Sequence, residues 1–144
     1  MVITPSPRMW PMVPHYHGDI VRQLFVTGAI AMLLSAPFYT ENLRAELPFI
    51  IFGALAAIAA AALTSPHKRT FVTVDVVAAA LIAIIYESWA LFDYESSTWP
   101  EFALRQLIAI VFMVAFYFSM KTLRAMFLGK VGKSEEVGEF DDNA

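Results

Sequence analysis

The stretch "HYHGDIVRQL", His15 to Leu24, gathers groups that bind metals, protons or helix ends. His15 and His17 stand at alternate positions, and Asp19 follows at the same spacing. Alternate residues of an extended arm point to one side, so both imidazoles can reach one ion. His67 supplies a further nitrogen, and a carboxylate such as Asp19 a fourth ligand. Those donor types suit zinc or a similar metal. The spacing follows no established ligand rule, and the chain has no cysteine to add a thiolate. A plainer chemistry accounts for the same residues. Asp19 at the start of a helix accepts the free N–H groups of the first turn and favours the helix dipole. We therefore read Asp19 as a helix cap, with Gly18 turning the chain inward and the histidines in the membrane interface. No metal and no cofactor are expected.

A second set of ionisable residues lies within apolar sequence: Arg22, Asp75, Glu87 and Arg105. A charge at the centre of a membrane helix costs about 2.5–3.5 kcal/mol on insertion scales, and less towards the ends. Such residues face protein or water, and they pair. With a rise of about 1.5 Å per residue, Arg22 and Asp75 fall near one membrane surface, and Glu87 and Arg105 near the other. This predicts two ion pairs. Arg22–Asp75 would join the first and third helices, and Arg105–Glu87 the fourth and third, making the third helix the hub. Asp75 and Glu87 differ by roughly 120° around their helix, and "VVAAALIAIIY" between them is apolar. No polar stripe crosses one copy of the chain, although an axis between several copies could still carry ions. The sequence contains no GxSxG, HExxH, P-loop or GxGxxG and no other catalytic constellation, so an enzyme is not expected.

The elements that must hold these groups follow from composition. The 144 residues suggest one domain, 58% of them hydrophobic and only 16% charged. Soluble chains are about 45–50% apolar and about 25% charged. A chain of this length cannot bury so much apolar surface in a core, and its mean hydropathy is +0.60. Four apolar runs, at about 20–38, 47–63, 71–92 and 102–128, have the length of roughly 20 residues that crosses a hydrocarbon core as a helix. They do not alternate as barrel strands do, and a helix satisfies its own backbone in lipid. Pro37 closes the first run, Pro48 opens the second, Pro66 follows it, and Pro100 precedes the fourth. The fold expected is all-α, an antiparallel bundle of four transmembrane helices over residues 19–130. Residues 1–18, with Pro5, Pro7, Pro11 and Pro14, read as an extended arm. Residues 131–144 read as an acidic, mostly disordered tail.

Basic residues set the orientation. Arg8, Arg22, Lys68, Arg69, Lys121, Arg124, Lys130 and Lys133 lie on one side, and Arg44 alone on the other. Both termini are therefore expected in the cytoplasm, in a plasma or inner membrane, with a basic rim that favours anionic lipid headgroups. Gly53, Ala57 and Ala61 on the second helix, and Ala79 and Ala83 on the third, have the four-residue spacing that lets helix backbones approach. The function expected is a non-enzymatic assembly, scaffolding or interaction role in the membrane. Its partners would be the bilayer and a second copy or another membrane protein, not nucleic acid. A homo-oligomeric channel or small transporter is the alternative, and a metal-binding membrane protein using His15, His17 and His67 a further one. The chain should stay with membranes through an alkaline carbonate wash; recovery in the wash supernatant would contradict the spans.

Overall fold

A computed structural model describes residues 16–39 and 43–129 of the chain. His15, the expected arm before it and the expected acidic tail lie outside the described residues. Helix α1 covers Gly18–Ser35 and runs into one 3₁₀ turn, Ala36–Phe38. Helix α2 covers Leu43–Leu63, α3 Arg69–Phe92 and α4 Trp99–Phe127. All four are long and apolar enough to cross a membrane, and the described residues include no strand.

The distribution of residue sizes is that of a protein dissolved in lipid. Its centre is built largely from Ala54, Ala57, Ala60, Ala61, Ala79, Ala83, Ala109 and Ala115, filled out by Phe25, Met32, Ile108 and Phe112. The large aliphatic and aromatic residues point outward, with Phe49 77% and Ile84 61% exposed. In water this surface would aggregate. In lipid it costs nothing, and helices associate instead through close packing of small residues.

The helices pack in the order α2, α1, α4, α3, with α1 and α4 in the middle. Contacts between α2 and α3 are sparse, and between α1 and α3 sparser. The expectation that the third helix is the hub is therefore corrected. The reason is a close approach of α1 to α4 that the small-residue spacing did not indicate. Phe25 and Phe112 meet edge to face at 5.4 Å, an arrangement worth about 0.5–1.5 kcal/mol beyond area burial. Gly28 lies beneath the same Phe112 ring, and a Cβ there would come within 2.5 Å of it. Gly53 is different. A Cβ there would meet the Met32 sulfur of α1 at 3.7 Å, an ordinary contact, so this position faces α1. Ala57, Ala61, Ala79 and Ala83 are all buried.

Helix ends differ from the sequence reading where local chemistry decides. Helix α2 starts at Leu43, so Pro48 sits inside it rather than at its start. The missing N–H and the ring of Pro48 act one turn back, on the carbonyl of Arg44, which is close to the helix start. At α4 the Thr98 N–H donates to Glu101 Oε2 at 2.9 Å, one arm of a capping box. Gly129, at φ +67°, ends α4 in the left-handed conformation that glycine adopts without penalty.

Gly28→Ala should destabilise the protein by about 1–3 kcal/mol through overpacking, whereas Gly53→Ala should change stability by less than about 0.5 kcal/mol. Thermal unfolding in mild detergent measures both, and equal effects would remove the special role of Gly28.

Candidate functional site

The polar side chains gather at the two ends of the bundle. One end joins the close of α1, the start of α2, the close of α3 and the start of α4. Arg105, in the second turn of α4, is 3% exposed. Its guanidinium lies 4.1 Å from the Trp89 ring centre and 4.8 Å from that of Tyr39. Nη1 donates to Ser97 Oγ at 2.8 Å and stands 3.6 Å from Asp93 Oδ2. Nη2 stands 3.9 Å from Glu46 Oε1. Asp93 Oδ2 also accepts from Trp89 Nε1 at 2.6 Å, and the Ser97 hydroxyl donates to the Asp93 carbonyl at 2.6 Å. One cation thus ties α2, α3, α4 and the turn after α1 together. Burial pushes the Tyr39 phenol above its usual range, and the Arg105 charge opposes that shift.

The expected Arg105–Glu87 pair is not formed. Glu87 is half-buried, and its Oε2 has no hydrogen-bond partner among the described residues. Depth along a helix carries no information about azimuth, and rotation about the helix axis decides whether two side chains meet. The expected second run, 47–63, leaves Glu46 outside the helix. With α2 starting at Leu43, Glu46 belongs to its first turn and faces Arg105. The expected third run, 71–92, likewise stops short of Asp93. The detectable signal was Trp89 and Asp93 spaced i, i+4 at the close of a helix, where side chains meet.

At the other end Arg22 does not pair with Asp75. Its Nε donates to the Ala61 carbonyl at 3.1 Å and its Nη2 to the Thr64 carbonyl at 2.8 Å. These are carbonyls from the last turn of α2 and just beyond, which have no helical donor and favour a cation. Nη1 is 3.6 Å from Asp19 Oδ1, and the Arg22 side chain is 46% exposed. Asp75 is 1% exposed, and its Oδ2 accepts from Thr64 Oγ1 at 2.7 Å. The same Thr64 hydroxyl lies 2.8 Å from the Ala60 carbonyl. It carries one proton, so it serves one of the two acceptors at a time. Asp75 Oδ1 has no partner among the described residues.

Asp19 does not cap α1. The helix begins at Gly18, so Asp19 already has helical geometry in the first turn, and His17 occupies the cap position. The Asp19 carboxylate still faces the positive end of the helix dipole. The His17 N–H donates to Thr122 Oγ1 of α4 at 3.0 Å, and its ring lies 5.7 Å from Phe118. Of the proposed metal ligands, His15 lies outside the described residues. His67 is exposed in the α2–α3 loop. Among the described residues no group of three His, Asp or Glu converges.

Between the two ends the interior is closed by Phe25, Met32, Ile108, Phe112 and the alanines. What these contacts carry is electrostatic tying of helix ends. Arg105→Gln, which strands two carboxylates, should destabilise the protein by about 3–5 kcal/mol, whereas Glu87→Gln should cost about 1 kcal/mol or less. Thermal unfolding of both variants in detergent tests this; comparable losses would make Glu87 the partner after all. Comparison with protein-family models, with curated proteins and with solved structures finds no match for this chain.

Proposed function

We propose that this protein is a small, non-enzymatic assembly or interaction component of a plasma or inner membrane. In this reading the four helices form an antiparallel bundle with both termini in the cytoplasm, and the outward faces of large apolar residues contact lipid and a second copy or partner membrane protein. The observation that carries it is the separation of the polar residues. Arg105 and Arg22 are engaged at opposite ends by ties between helices, and the buried residues between those ends are apolar or small apart from Tyr86, with the half-buried Glu87 beside it. An ion in transit needs successive polar stations, and on α3 the stretch from Val76 to Ile85, between Asp75 and Tyr86–Glu87, offers none.

The absence of native cysteine makes topology directly testable. Ser134→Cys should label from the cytoplasmic side and Ser96→Cys from the opposite side in intact cells. Both labelling from one side would overturn the antiparallel arrangement. In proteoliposomes the purified chain should pass ions no faster than empty vesicles. A flux that Glu87→Gln alters would replace this proposal with the channel reading, with the path at an axis between copies.

A further inference from the structure

The end of the bundle where α3 begins and α4 closes carries His67, Lys68, Arg69, Lys121 and Arg124. None of them makes an ion pair among the described residues. The described carboxylates at this end are engaged elsewhere, Asp19 with Arg22 and Asp75 with Thr64. The opposite end is built the other way. There the cation Arg105 faces two carboxylates. The first end therefore presents positive charge with no carboxylate partner among the described residues.

This charge borders a cavity. A surface cavity of about 230 Å³ opens between the α2–α3 loop and the end of α4, lined by Pro66, His67, Arg69, Met126 and Gly129. The Arg69 guanidinium lies 4.5 Å from the centre of the Phe127 ring. Such stacking fixes the guanidinium plane while leaving its N–H edges free to donate. Gly129 contributes no side chain to the wall, and open space lies where a Cβ would stand. Phe127 and Leu128 beside the cavity are exposed and apolar. The volume is below the 300 Å³ or so at which drug-sized pockets begin, which suits a headgroup more than a whole small molecule.

We propose that this cavity binds the phosphate of an anionic phospholipid headgroup, with Arg69 and His67 as donors and the acyl chains lying along Phe127 and Leu128. A free phosphate would gain nothing from the apolar flank, and a lipid satisfies both parts of the site. Basic pockets between membrane helices near the cytoplasmic surface bind such headgroups. The inference rests on the membrane reading above and on this end lying at the bilayer surface.

The test is native mass spectrometry of the full chain in mild detergent, titrated with phosphatidylglycerol and with phosphatidylcholine. Wild type should retain phosphatidylglycerol in preference. Arg69→Gln should weaken that retention about fivefold, the share of one basic residue at a membrane surface. Arg69→Lys should recover most of it, and Arg44→Gln, on the opposite side, should leave it unchanged. If Arg69→Gln does not fold, His67→Ala in the exposed loop carries the test, with a loss of about threefold for one hydrogen bond. Equal retention of the two lipids, no effect of either variant, or an equal effect of Arg44→Gln would overturn the proposal. Displacement of the lipid by millimolar inorganic phosphate alone would also overturn it, making the occupant a soluble anion. A carbonate wash separates the two levels. A chain that stays in washed membranes without lipid preference loses only this proposal, whereas a chain released by the wash loses the membrane reading as well.

Discussion

The approach of α1 to α4 is the constraint from which the rest of the arrangement follows. Phe112 lies over Gly28 and against Phe25. A side chain at position 28 would push the two helices apart, and an aliphatic residue at 112 would leave the space above the glycine unfilled. With this pair fixed, α2 packs on the outer side of α1 and α3 on the outer side of α4. In lipid no bulk hydrophobic force selects one such arrangement over another, so a single well-fitted crossing has unusual weight.

The polar ends follow from that order. Because α1 and α4 lie together, His17 at the start of α1 can donate its N–H to Thr122 near the end of α4. Because α2 flanks α1, Arg22 reaches the final carbonyls of α2 rather than crossing to Asp75 on α3. At the opposite end Arg105 is surrounded by the first turn of α2, the last turn of α3 and the chain leaving α1. Two aromatic faces and two carboxylates around one guanidinium allow a charge to remain buried at the margin of the membrane. Stacking supplies attraction without hydrogen bonds, and the carboxylates supply the countercharge.

The two ends differ in electrostatic character. Around Arg105 negative charge exceeds positive, and the cation is enclosed. Around the start of α3 the cations are exposed and lack described acidic partners. A bilayer surface rich in anionic lipid complements the second end and not the first.

What the sequence determined by itself was the number of helices, their approximate limits and their being long and apolar enough to cross a membrane. Those depend on local quantities, the length and apolarity of each run, and four spans emerge at 18–38, 43–63, 69–92 and 99–127. The sequence also singled out Arg22, Asp75, Glu87 and Arg105, because a charge in apolar sequence stands out without knowledge of the fold. Only the tertiary structure decided what each one touches. Position along a helix gives depth, but partner choice depends on rotation about the axis and on which helices are neighbours. Glu46 instead of Glu87, and backbone carbonyls instead of Asp75, are consequences of those two unknowns. The decisive glycine was hidden for the same reason. Gly53 sits in a conspicuous run of small residues yet meets only a flexible methionine. Gly28 stands without such a pattern and becomes indispensable only when Phe112, far away in the chain, is placed upon it.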